Sequence, residues 1–234
     1  MRFYFDQALL RTGVVIEPSG IVERARRIRA FAWIEQRLFE VVGGWVSSEA
    51  DAMLRVLFDT ESRVHGRNSL LWRDEMPPEG SLRALAEQSS SSEDQNALVA
   101  PGFVAVMNRM EADAQDAGVV SYGHLGILCE VILPRLLLTY RVHMAGLSPV
   151  ADGSFARSAS IAYDDIIDVW HAANLTLEVG WRHGISAAAA GMQFDEYIRW
   201  AEVEISGKGQ AGHSEYVIGL LRCQVGDTPS PTQH

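Results

Sequence analysis

The stretch Ser158 to Glu178, SASIAYDDIIDVWHAANLTLE, limits the possible folds more than any other part of the chain. It contains neither Gly nor Pro and reads as one long helix. Ile161, Asp164, Asp168, His171, Leu175 and Glu178 recur at alternating steps of three and four, so they share one helix face. Taken as the inward face, it carries titratable groups at four of six positions, where a bundle helix normally has Leu or Ile. Groups of that kind are buried only when they pair, hydrogen-bond or bind a metal. The periodicity therefore predicts a polar seam, and the other helices are read for what they set against it.

Composition fits one domain. With 234 residues, 47% hydrophobic and 21% charged, the chain can bury a sizeable core. We expect a single helical domain over 1–225 and a disordered tail over 226–234, where GDTPSPTQH is polar and Pro-containing. A net charge of −10 argues against nucleic-acid binding, which needs clustered Lys and Arg. No apolar run reaches the ~18 residues of a membrane span. The start, MRFYFDQALLRTG, lacks a signal-peptide core, so a cytoplasmic protein is expected. Cys129 and Cys223 have no metal-like spacing and read as buried thiols. Lys208, the one lysine, lies in SGKGQAG, which lacks the G-x4-G-K-[ST] order of a phosphate loop.

In chain order, the pattern predicts a helix from Ile21 to about Val42, ended by GGW, with Ile28, Phe31, Leu38, Phe39 and Val42 inward. Glu35 falls on that face, whereas Glu40 lies towards the polar side. Ser47 or Ser48 is the expected cap of a second helix ending near His65, whose inward stripe is Leu54, Leu57, Glu61 and His65. A long crossover over Gly66 to Val120 follows, with a short helix expected within 101–118. A third helix runs from Ser121 to about Gly146, marked by Ile127, Glu130, Pro134, Leu137, Leu138 and Arg141, with Pro134 expected to kink it. Asp152 or Ser154 caps the helix described first. A further helix is expected at about Phe194 to Ile205, and a short helix or strand over 214–224.

Folding each hairpin about its turn tests whether the titratable residues meet. With a turn near Val46, Glu61 faces Phe31, one turn from Glu35. With a turn near Val150, Glu130 faces Trp170, level with Asp168 and His171. The set Glu35, Glu61 with His65, Glu130, and Asp168 with His171 resembles the ligands of the ferritin-like di-iron carboxylate proteins. Those proteins take a Glu from each of two helices and a Glu-x-x-His from each of the others. Asp168 replaces Glu in the second pair, and in the first His65 lies four residues after Glu61, with Val64 in the expected position. Spacings of three and four both keep a pair on one face. The sequence is also similar to heme-oxygenase-like di-metal oxidases, through Asp164, Asp168 and His171 preceded by Glu130.

The resemblance implies an all-α, ferritin-like four-helix bundle with a long crossover and extra C-terminal helices. It implies two iron or manganese ions held by Glu35, Glu61, His65, Glu130, Asp168 and His171. The expected activity is oxidation of a small organic metabolite with O2, in bacterial specialised metabolism. Catalytic roles fall to His171, Asp168, Glu130 and Glu61, with Asp164 or Asp165 orienting a histidine. Two other readings stay open. One is a metal-free cyclase, lyase or isomerase using the same side chains, without cofactor. The other is a non-catalytic binding protein whose polar seam sets helix register. Among weaker candidates, Tyr140 could supply a phenol, His124 has no assigned role, and His143 reads as a charged group at a helix C-terminus. A homodimer through an exposed apolar helix face is open, with no face identified.

Overall fold

The computed structural model describes residues 20–78, 80, 101–113, 121–148, 152–182, 196, 199–201 and 204–205. Among them every regular element is helical, as the periodicity predicts. The expectations for 214–224, the tail, Lys208 and Cys223 lie outside the described residues. No helix among the described residues is long and apolar enough to cross a membrane.

Helix α1 spans Ile21–Val46 and buries Ile28, Phe31, Leu38 and Val42 as predicted, while Phe39 turns outward. It runs straight through Gly43 and Gly44, past the predicted stop near Val42. Packing outweighs the helix penalty of about 1 kcal/mol for each glycine. A Cβ on Gly43 would lie 2.8 Å from the Ser62 hydroxyl, so this glycine lets the next helix approach closely. Trp45 anchors the end, its indole N–H donating to the Met110 carbonyl at 3.3 Å.

Helix α2 spans Ala52–Asp74. Its cap is Asp51, whose carboxylate accepts from the backbone N–H of Met53 at 2.7 Å and of Leu54 at 3.3 Å. Ser47 and Ser48 instead donate to the Gly44 and Trp45 carbonyls, so they close α1 rather than open α2. The helix passes through Gly66, which faces the Phe39 ring, and continues nine residues beyond the predicted end at His65. The extra turns hold Asn68, Ser69 and Trp72, all buried. Because α1 is longer than predicted, the hairpin axis falls later in the chain. Ser62 donates to the Phe39 carbonyl and Ser69 to that of Ala32, and Glu35 meets His65 rather than Glu61.

Helix α3, Pro101–Asp113, lies against α1. Then come α4, Ser121–Gly126, a π-helical segment, Ile127–Ile132, and α5, Leu133–Ala145, as one continuous rod. Proline at 134 has no N–H for the i−4 carbonyl. The wider turn immediately before it, closed by Leu133 N–H to the Leu128 carbonyl, is how the rod accommodates it. Helix α6, Gly153–Arg182, packs on α2 and α5. Of the helix expected over 194–205, the described residues are helical, with Ala201 and Ile205 buried.

The largest difference from expectation is the orientation of α6. Its inward stripe is Phe155, Ala159, Ala162, Ile166, Val169, Ala173 and Leu177. The predicted seam points to solvent: Ile161 is 42% and Leu175 62% exposed, and Asp164, Asp168, His171 and Glu178 are exposed as well. Both stripes satisfy helical spacing, and desolvation decides between them. The alanine-rich stripe also lets α6 approach its neighbours closely.

The caps can be tested separately. Asp51→Ala is expected to lower unfolding free energy by about 1 kcal/mol, whereas Ser47→Ala and Ser48→Ala each change it by less than about 0.5 kcal/mol, read by urea denaturation.

Candidate functional site

The continuous α2 stripe Leu54, Leu57, Glu61, His65, Asn68 and Trp72 faces the interior along its whole length. Its first half is greasy and its second half polar. Glu61, His65, Asn68 and Trp72 are all 0% exposed. From α1, Glu35 enters the same interior, and Tyr140 reaches it from α5.

Three hydrogen bonds link these helices. His65 Nδ1 lies 2.6 Å from Glu35 Oε2. The Tyr140 hydroxyl donates to Glu35 Oε1 at 2.5 Å, and the Trp72 indole N–H donates to the Tyr140 oxygen at 3.0 Å. Both carboxyl oxygens of Glu35 are thereby engaged. With the shared proton on Nδ1, His65 presents a lone pair at Nε2, the arrangement in which a carboxylate fixes an imidazole's tautomer. Burial pushes the Tyr140 phenol well above its ordinary value, and the Glu35 charge and hydrogen bond push it further, so it stays a donor.

Beside this chain the same helix leaves polar atoms unused. Both oxygens of Glu61, Nε2 of His65, and Oδ1 and Nδ2 of Asn68 have no hydrogen-bond partner among the described residues. Glu61, His65 and Asn68 stand one turn apart, so their unused atoms line one edge. Burial pushes the Glu61 carboxyl from 4.5 up to about 8, so at neutral pH it is largely the uncharged acid. The buried Cys129 thiol on the π-helical segment is raised by burial and then by the Glu61 and Glu130 charges, which leaves it protonated and unreactive as a nucleophile.

The six residues predicted as metal ligands divide into two groups. Glu35, Glu61 and His65 are buried between α1 and α2, whereas Glu130, Asp168 and His171 are exposed. Folding about Val150 predicts the level correctly, since the Trp170 indole donates to the Cys129 carbonyl at 2.8 Å. It is the tryptophan, however, that points inward at that level, and Asp168 and His171 point away. Asp165 pairs with Arg67 at 2.5 Å rather than supporting a histidine. Among the described residues no three His, Cys, Asp or Glu side chains are placed to hold a metal together. Each oxygen of Glu35 already takes a hydrogen bond, from His65 and from Tyr140, which leaves Glu61 and one imidazole nitrogen as the buried, unengaged members of the predicted set among the described residues. That set does not fit a carboxylate-bridged metal pair.

The weaker candidates also change roles. His143 is buried and held down to about 3 by burial and then by Arg27, so it is a neutral core residue rather than a charged C-terminal cap. His124 stacks on Trp45 with centroids 4.3 Å apart, and burial lowers it to about 4. Asn68 and Trp72 fall outside the sequence expectation. Their signal lies in the spacing, because the Leu54–His65 stripe continues through both once Gly66 is allowed inside the helix. No protein-family model, curated protein or solved structure matches the chain.

The buried acid gives a signed pH dependence. Between pH 4.5 and about 8 the folded chain holds a proton on Glu61 that the unfolded chain releases, so stability falls as pH rises through that range. His124 and His143 act oppositely: the unfolded chain takes up protons below 6.5, and stability is lost as pH falls from there. Of these three groups only Glu61 acts between 6.5 and 8. Stability should therefore decline by roughly 2 kcal/mol across that window, and Glu61→Gln should flatten the decline in chemical-denaturation curves taken at each pH.

Proposed function

We propose that the chain binds a small polar molecule between α1, α2 and α5 and acts on it by proton transfer, as a metal-independent isomerase, lyase or cyclase. The supporting observation is the row of polar atoms on Glu61, His65 and Asn68 that have no partner among the described residues. Each buried unsatisfied group costs about 1–3 kcal/mol, a large fraction of the stability of an ordinary domain. A seam that served only helix register would place its groups in mutual hydrogen bonds. A row left open suits a ligand that completes it.

In this reading His65 is the general base. Its Nε2 takes a proton from the bound molecule while Glu35 holds Nδ1 and offsets the charge that forms on the ring. Glu61, uncharged at neutral pH, is the general acid and donates its proton to the atom where negative charge develops. Tyr140 and Trp72 keep Glu35 in place and are positioning residues. Return of the proton from His65 to another atom, with Glu61 taking back a proton from the molecule, completes an isomerisation and restores both groups. Departure of a group protonated by Glu61 completes an elimination. Asn68 orients the molecule through its amide. The wider architecture is in keeping with a four-helix bundle with a long crossover, in which bundle-core side chains on facing helices commonly build sites.

Solvent-deuterium exchange tests this and does not require the substrate to be identified first. The protein is incubated in D2O with a fractionated small-molecule extract, and mass gain is read compound by compound. At least one compound should gain deuterium with the wild-type protein and with chelator present. His65→Ala should abolish the gain, and Glu35→Gln should slow it by about 100-fold, within the usual range for acid–base catalysis. Exchange that is lost with chelator and restored by iron or manganese would favour the di-metal reading. No exchange in any fraction would overturn proton-transfer catalysis.

A further inference from the structure

The polar half of α2 has an order as well as a composition, and the order bears on what the interior can hold. Along the helix axis His65 stands about 6 Å from Glu61 and about 4.5 Å from Asn68, so its imidazole is flanked on both sides. Each flanking group offers a hydrogen-bond donor. Glu61, raised to about 8 by burial, carries an O–H at neutral pH, and the Asn68 amide carries two N–H bonds. Both oxygens of Glu61, Nε2 of His65 and both amide atoms of Asn68 lack a partner among the described residues. The row is bounded by apolar side chains, Leu54 and Leu57 before Glu61 and Trp72 after Asn68. The Cys129 thiol is close enough to feel the Glu61 charge, and the other buried residues of its π-helical segment are apolar.

Charge is the second constraint. An ionised ligand in a fully buried site needs an opposite charge to offset its lost hydration. Arg135 is the one buried Lys or Arg among the described residues, and its guanidinium is engaged, donating to the Val131 carbonyl of its own helix at 2.8 Å. The Glu35 carboxylate is taken up by His65 and Tyr140. A cationic ligand would draw the proton from Glu61 and so remove one of the two donors. The row therefore suits an uncharged molecule, polar in the middle and apolar towards its ends.

We infer that the interior takes an uncharged 1,3-dicarbonyl compound with apolar substituents, an inference that rests on the proton-transfer reading of that same site. The carbon between the two carbonyls faces Nε2 of His65, and the carbonyl oxygens face Glu61 and Asn68. A base flanked by two donors is the complement of a carbon acid flanked by two acceptors. A molecule with a single carbonyl would use one donor and leave the other buried and unpaired, which is costly. In the reaction the central C–H bond breaks, its proton passes to Nε2, and its electron pair spreads over both carbonyl groups. One oxygen takes the Glu61 proton, giving the enol, while the other accepts from the Asn68 N–H. The proton on His65 then restores Glu61, so keto and enol forms interconvert with no other reactant.

Deuterium exchange at the central carbon of 3-oxo-N-phenylbutanamide tests this, read by proton NMR in D2O and compared with the rate in buffer alone. The full chain should speed the exchange by about 1000-fold at neutral pH, within the range of general acid–base catalysis. Glu61→Gln and Asn68→Ala should each lower the protein-dependent rate by about 100-fold. His65→Gln, which keeps a donor for Glu35, should abolish it, with circular dichroism showing all three variants folded. Two kinds of comparison compound should exchange no faster than in buffer: 4-phenylbutan-2-one, with one carbonyl, and the same amide bearing a carboxylate or trimethylammonium group on its ring. Equal acceleration of any of these would overturn the inference, as would Glu61 and Asn68 variants that keep the wild-type rate. No acceleration of the amide, with His65-dependent exchange still seen in extract compounds, would overturn the substrate class and leave proton transfer standing. Absence of both would overturn the two together.

Discussion

The carboxyl group of Glu35 holds three helices to one another. One oxygen takes His65 of α2 and the other takes the hydroxyl of Tyr140 on α5, which in turn accepts from Trp72. All four residues are fully buried, so no water competes for these bonds. Phe31, one turn before Glu35, covers the chain with its ring, 4.9 Å from the rings of both Trp72 and Tyr140 and 5.3 Å from that of His143. In such surroundings hydrogen bonds are strong, and an unpaired polar group is correspondingly expensive. Removal of Glu35 would strand an imidazole and a phenol together. The polar contacts that join α1, α2 and α5 in the interior converge on that single side chain.

The contrast between the two polar stripes separates structure from candidate function. On α6 the titratable residues turn to solvent, and an alanine-rich stripe forms the contact with the core. On α2 the reverse holds: Glu61, His65 and Asn68 are kept inside although, among the described residues, only one of their side-chain polar atoms has a partner. Folding alone would have favoured Leu or Met at Glu61 and Asn68, with Glu35 and His65 left as a satisfied pair. The polar half of α2 is thus the part of the structure that fold stability explains least. Proteins depart from self-consistency mainly at functional sites.

Much of this is legible in the sequence. The all-helical class, the inward positions Leu54, Leu57, Glu61 and His65, and the level of residue 130 against residue 170 follow from spacing alone. The departures have specific causes. Gly43 and Gly66 look like breakers in the sequence, but each sits where two helices come together. Reading them as stops shortens both predicted helices and shifts the Glu35 partner from His65 towards Glu61. On α6, spacing cannot choose between two equally periodic faces. Apolar content does choose, because the titratable face has only Ile161 and Leu175. Tyr140 reads as a loose phenol, since its partner lies on a helix 105 positions away. No local pattern carries a contact of that separation.

Equilibrium unfolding of Glu61→Met tests the central claim, that the polar half of α2 is maintained at a cost to folding. The substitution keeps the volume of the side chain and removes two buried oxygens without partners. At pH 7 the variant should be more stable than the wild type by about 1–3 kcal/mol, with an unchanged denaturant slope. A loss of stability of similar size would mean that Glu61 has a structural partner, and would contradict an interior kept open for a ligand.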